Sequence, residues 1–137
     1  TVLGDAVNLG ARVEGLTKAY GVRIIITETT LAQVEGLVCR ELDRVRVKGK
    51  AEPVTIFEPV GFAADVDDAT RAEVEGFQSA LEAYRSRDWD GAQSALNALM
   101  KQDPERVLYS LYRERIAHFR ESPPPEGWDG VFTHTSK

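Results

Sequence analysis

Asn8 and Arg12 stand one helical turn apart, just beyond the Gly4–Asp5 pair that follows a short apolar strand in TVLGDAVNLGARVE (residues 1–14). Both side chains are rich in hydrogen-bond donors, and the guanidinium is permanently charged. At about 100° per residue, Leu9, Val13, Leu16 and Tyr20 fall on one apolar stripe, while Glu14 and Lys18 lie nearly opposite as a solvated i,i+4 pair. Asn8 and Arg12 occupy the border of that stripe, and their neighbours there are Gly15 and Ala19. Donors flanked by small residues suit a helix that lines a cleft, because small neighbours leave room for a ligand. The same spacing also describes a surface Asn and Arg beside packing residues, and spacing alone favours that plainer reading. Asp5, at the start of the helix, reads as its N-cap.

The elements that would position these residues follow in order. Gly21 ends the first helix, and Val22 to Ile26 is a β-branched run that reads as a strand. Thr27 or Thr29 can cap a short helix closed by Gly36. Val45 and Val47 alternate with Arg44, Arg46 and Lys48, which gives a strand with one buried and one charged face. Gly49 to Pro53 forms a turn, and Val54 to Pro59 is the returning strand. Lys48 sits at the tip of that hairpin. Since Arg44, Arg46 and Lys50 are equally basic, the residues alone favour an ordinary cationic tip over a ligand contact.

The segment from Gly4 to Arg12 resembles the signature of class III nucleotidyl cyclases, the adenylate and guanylate cyclases, in which G-[DN]-x-V-N-x-x-x-R links a central strand to its helix. Gly4, Asp5, Val7, Asn8 and Arg12 all match. A second resemblance lies at RVRVKGKAEPVTIFEPVG, where the family closes its catalytic domain with a V-K-G-K hairpin. The similarity covers residues 1–60. It implies that Asn8 orients the ribose of the nucleotide and that Arg12 stabilises charge building on the α-phosphate. Lys48 then contacts the triphosphate. Thr1, seven residues before Asn8, falls where the family selects its purine; Thr there accompanies ATP.

The chemistry suits these residue types. Cyclisation requires the 3′-oxygen to attack the α-phosphorus in line with departing pyrophosphate, so positioning and charge neutralisation carry most of the catalysis. A planar guanidinium can fork onto two phosphate oxygens, whereas a lysine offers a compact charge for the outer phosphates. The resemblance further implies two Mg²⁺ or Mn²⁺ ions, held by two Asp residues on strands preceding the motif at Thr1. No metal constellation is legible in the chain itself: His118 and His134 are far apart, and no Cys or His has ligand spacing. The expectation is the C-terminal half of a catalytic domain. It would work as a homodimer on ATP, with Asn, Arg and Lys from one subunit and metal carboxylates from the other.

Composition agrees with a soluble, intracellular and therefore cytoplasmic chain. Of 137 residues, 42% are hydrophobic and 28% charged, which suits one domain or two small ones. The net charge of −5, from 22 acids and 17 bases, argues against a general nucleic-acid binder. Cys39 is the one cysteine, so no internal disulfide forms, and it reads as strand filling. No apolar run reaches membrane-spanning length; an anchor would have to lie upstream.

After residue 60 the pattern changes. Residues 61–68 (GFAADVDD) read as a linker, 69–121 as an all-α extension and 122–137 as a tail. Val74, Phe77, Leu81 and Tyr84 repeat at helical spacing. A turn at Asp88 leads to a helix with Ala92, Leu96, Leu99 and Met100. Asp103-Pro104 reads as the cap and first residue of a third helix, carrying Leu108, Leu111, Tyr112, Ile116 and Phe119. Phe77, Tyr84, Ala92, Leu96 and Pro104 resemble a tetratricopeptide repeat whose inter-helix turn is one residue short. A helical hairpin packed on the sheet or on a protein partner accounts for the pattern equally well. In the tail, Trp128, Val131 and Phe132 form an apolar docking anchor.

The fold expected is thus α+β: part of a ferredoxin-like cyclase domain, followed by a short helical extension. Two functions compete, an adenylate cyclase part and a non-catalytic, cyclase-derived module that binds protein partners. Two Asp residues on strands upstream of Thr1 would favour the enzyme.

Overall fold

The computed structural model describes residues 16–46 and 52–133. Its elements in chain order are α1 (Thr17–Tyr20), β1 (Ile26–Thr27), α2 (Glu28–Ala32), β2 (Leu37–Arg46), β3 (Val54–Phe62), α3 (Asp68–Arg85), α4 (Trp89–Gln102), α5 (Val107–Glu121) and β4 (Phe132–Thr133). The fold is α+β. Among the described residues the sheet has four strands in the order β1-β3-β2-β4. The first two pairings are antiparallel, and β4 joins β2 in parallel.

β2 and β3 form the expected hairpin, held at its described end by the Val45–Val54 pair. The ladder slips between Glu41 and Asp43, so Leu42 has no β3 residue opposite it. An extra residue in one strand reverses the phase of its side chains. Arg40 and Leu42 before the slip, and Asp43 and Val45 after it, are therefore all buried. The helices supply the cover. Phe77, Ala80, Leu81 and Tyr84 on α3, Ala92 and Leu96 on α4, and Leu108, Tyr112 and Ile116 on α5 close over Leu42, Val45 and Ile56 in one continuous core. Each large side chain removed from water there contributes about 1.5–3 kcal/mol.

Local chemistry sets the boundaries. Asp67 caps α3 by accepting from the Thr70 amide at 2.8 Å, and Asp88 caps α4 by accepting from Gly91 at 3.0 Å. Gly21 ends α1 at φ 70°, in the left-handed region; a Cβ there would sit 2.5 Å from the Val107 Cβ, so α1 and α5 meet closely at this point.

Several expectations need correction. The run from Val22 to Ile26 is mostly irregular, because β1 meets β3 through only Ile26 and Thr27, and Ile24 faces solvent. Thr27 does precede α2, yet its side chain makes no capping bond. The returning strand continues past Pro59 to Phe62, so residues 61–68 comprise a strand end, a turn and the α3 cap. Asp103-Pro104 does not open the third helix. The Asp103 amide still donates to Leu99, which makes Asp103 the end of α4; a proline suits a helix stop as well as a start, and α5 begins at Val107.

Candidate functional site

Thr1, Asn8, Arg12 and Lys48 all lie outside the described residues, as does the first part of the helix stripe with Leu9 and Val13. What the structure describes is the frame adjoining them. Leu16 and Tyr20, which continue that stripe, are buried. On the other side, β2 ends at Arg46 and β3 starts at Val54, so residues 47–51 with Lys48 belong to the segment joining them.

A buried polar cluster links these two parts of the frame. The Tyr20 hydroxyl donates to Asp43 Oδ2 at 2.6 Å, and Arg115 Nη1 donates to the same oxygen at 2.8 Å. Asp43 Oδ1 accepts from the Arg44 amide at 2.8 Å. Arg115 Nη2 reaches the Tyr20 oxygen at 3.3 Å. Exposure is 1% for the Asp43 side chain and 7% for Arg115, so the pair is shielded from water. The guanidinium is also faced by aromatic rings, with the centroid of Phe132 at 3.9 Å and that of Tyr112 at 4.9 Å. Burial is the largest single influence on Arg115 and opposes its charge, but Asp43 and the surrounding tyrosines Tyr112, Tyr20 and Tyr84 together more than offset it and hold the pKa above its ordinary value. Burial, reinforced by Asp43, pushes the Tyr20 hydroxyl well up.

A second cluster ties the sheet to α3. Arg40 on β2 pairs with Glu58 on β3 and with Glu73 on α3, and Tyr109 on α5 donates to Glu73. Farther along, Arg85 pairs with Glu41 at 2.6 Å. The tail is held too. Arg87, at φ 65°, donates to the carbonyls of Pro124, Pro125 and Glu126, and Trp128 packs edge-on against Tyr84. The apolar anchor expected at Trp128, Val131 and Phe132 therefore docks on this chain's own helices and sheet.

Arg40, Asp43 and Arg115 are buried and ion-paired, which suits them to positioning. Burial raises the Cys39 thiol, which removes it further from nucleophilic use. Among the described residues, no three His, Cys, Asp or Glu side chains stand close enough to hold a metal ion. No described helix is long and apolar enough to cross a membrane. The outer face of α4 and α5 carries a shallow groove of about 450 Å³ beside Gln93, Arg113, Glu114 and Arg120. Arg120 there is engaged by Asp90 at 2.7 Å and Gln93 at 3.0 Å.

The sequence reading missed the buried cluster. Asp43 shares the period-two phase of Val45, and Arg115 lies three residues after Tyr112 on the apolar face of α5. A lone charge in phase with a buried stripe was the available signal. It needs a partner of opposite sign on another element, and only the fold identifies which one.

Comparison with known proteins finds adenylate cyclases. An adenylate cyclase of Anabaena cylindrica is 48% identical over 62 residues, covering 42% of this chain and 12% of that protein. A terminal-differentiation-specific adenylate cyclase of Dictyostelium discoideum is 47% identical over 64 residues, covering 44% of this chain and 3% of its own length. Adenylate cyclase 1 of Rhizobium meliloti is 34% identical over 68 residues, covering 49% and 10%. The chain thus spans a small part, 12% or less, of these curated relatives. No family model matches, and no solved structure does. Over less than half of its length, the chain is related to adenylate cyclases.

Proposed function

We propose that this chain is part of a class III adenylate cyclase, one that converts ATP to cyclic AMP and pyrophosphate in intracellular signalling. The observation that carries the reading is the ordered pair of motifs, Gly4-Asp5-x-Val7-Asn8-x-x-x-Arg12 and Val47-Lys48-Gly49-Lys50. The relation to adenylate cyclases over a comparable length supports it. Asn8 orients the ribose so that its 3′-oxygen points at the α-phosphorus. Arg12 neutralises the charge that grows on the α-phosphate as the new bond forms, and so acts mainly in the transition state. Lys48 binds the outer phosphates, and Thr1 hydrogen-bonds the adenine edge.

Mg²⁺ or Mn²⁺, when bound, would supply further charge neutralisation at the phosphates. The resemblance implies that two Asp residues on strands before Thr1, contributed by the partner copy of a homodimer, would hold the metal ions. Cytoplasmic action agrees with the composition. The helices from Asp68 onward constitute a tetratricopeptide-like extension whose outer face is available to a protein partner.

The test is direct. The full-length protein should form cyclic AMP from ATP with Mg²⁺ or Mn²⁺, and the 137-residue chain alone should form none. Turnover by the isolated chain would refute this division of the site. A full-length protein without turnover would favour the non-catalytic, partner-binding reading.

A further inference from the structure

We propose that Arg115, on the third long helix, is a positioning residue that sets where α1 sits against β2. This rests on the cyclase reading, in which the helix continued by α1 carries Asn8 and Arg12 and the hairpin continued by β2 carries Lys48. Three observations converge. Arg115 Nη1 and the Tyr20 hydroxyl share one oxygen of Asp43, at 2.8 and 2.6 Å, so α5, α1 and β2 meet at a single carboxylate. Gly21 approaches Val107 so closely that no side chain fits between them, which fixes the far end of α1 against the start of α5. β4 pairs with Val45 and Arg46 and brings Phe132 onto the Arg115 guanidinium, so the chain's C-terminal region closes the cluster beside the Lys48 segment.

The described part of α1 spans a single turn, with amide bonds at Tyr20, Gly21 and Val22, and Leu16 and Tyr20 bury their side chains in the core. A short helix without strong internal bonding takes its position from tertiary contacts. Arg115 provides the charged one. Its guanidinium cannot be mimicked by lysine, because a compact ammonium cannot bridge Asp43 and the Tyr20 oxygen from two separate nitrogens. The helical extension therefore acts on the proposed reaction through α1.

The experiment uses the full-length protein as wild type and with Tyr20→Phe, Arg115→Lys or, as an exposed control on the same helix, Arg120→Ala. Hydrogen exchange is read at Tyr20, Gly21 and Val22 and across α3 and α4, alongside kcat and KM for cyclic AMP formation. Tyr20→Phe and Arg115→Lys should speed exchange at the α1 amides by about tenfold or more, with α3 and α4 unchanged. They should lower kcat about tenfold with KM within about twofold, as misplacement of a transition-state group does. Arg120→Ala should change neither. Unchanged α1 exchange overturns the proposal, as does acceleration spread evenly over α3 and α4. Loosened α1 with intact kcat overturns the positioning role and leaves the cyclase reading standing. A wild-type protein without turnover defeats that reading and, with it, the catalytic role assigned to Arg115, while exchange still decides whether Arg115 holds α1.

Discussion

Replacing Tyr112 by phenylalanine removes one oxygen from the centre of the molecule and little else. The ring is 1% exposed, and its hydroxyl donates to the Leu42 carbonyl at 2.6 Å. Leu42 is the residue that the β2–β3 register skips, so a helix side chain serves a carbonyl at an irregularity of the sheet. The ring contacts survive the substitution, edge-on to Tyr84 at 5.0 Å and to Phe77 at 5.5 Å. What is lost is a hydrogen bond worth about 0.5–1.5 kcal/mol net, rising toward about 3 kcal/mol if the buried carbonyl finds no other donor. A loss of about 1.5 kcal/mol should lower Tm by roughly 4–8 °C in a chain of this size. Tyr109→Phe is the comparison, since Glu73 keeps Arg40 when the Tyr109 hydroxyl goes, and should cost less. Urea unfolding of both variants, with m unchanged, measures the difference. A Tyr112→Phe loss below about 0.5 kcal/mol, or one smaller than that of Tyr109→Phe, would show that the carbonyl does not depend on this hydroxyl.

The chain's four tyrosines, Tyr20, Tyr84, Tyr109 and Tyr112, are all pushed up by burial, Tyr84 to about 12. The native state then keeps protons that the unfolded state releases near pH 10, so stability is full below about pH 10 and falls as pH rises toward 12. Absorbance at the tyrosinate band should rise only together with unfolding; a component titrating near pH 10 in folded protein would refute this. In the full-length protein, Arg12→Ala should lower kcat by about a hundredfold or more with modest change in KM, and a normal kcat would make Arg12 a surface residue. If Thr1 bonds the adenine edge as proposed, the full-length protein should prefer ATP over GTP in kcat/KM, and the reverse preference would remove Thr1 from the site.

The α+β class, the hairpin and the helical spacing of Phe77, Leu81, Tyr84, Ala92 and Leu96 were legible because each follows from a simple period with capping residues at its ends. Asp88, read as the turn before the second helix, is its cap, whereas Asp67, the cap of α3, lay within the stretch read as a linker. The bulge at Leu42 was not legible. Nothing in CRELDRVR announces a skipped residue, and the skip decides that Arg40 and Asp43 both turn inward. The Asp103-Pro104 pair misled because helix ends and starts draw on the same residue types. For the candidate site, Asn8, Arg12, Lys48 and Thr1 came from motif resemblance, and the described structure bears only on their surroundings. The cluster around Asp43 required knowing which helix crosses which strand, information that pairs distant residues and has no local signature.

The parallel pairing of Val45 with Phe132 has a consequence for how the chain is made. During synthesis β2 emerges before the long helices and can zip with β3 at once, since the hairpin is local. The edge of β2 at Val45 and Arg46 then waits for α3, α4, α5 and the proline-rich segment before its partner arrives. Over that interval its backbone groups are open to any other extended chain nearby, a hazard that exposed strand edges carry. Closure of this sheet among the described residues thus waits for Phe132 and Thr133. A nascent chain stalled short of Phe132 would carry the core helices yet remain a candidate for chaperone capture or for exchange of strands with a neighbour.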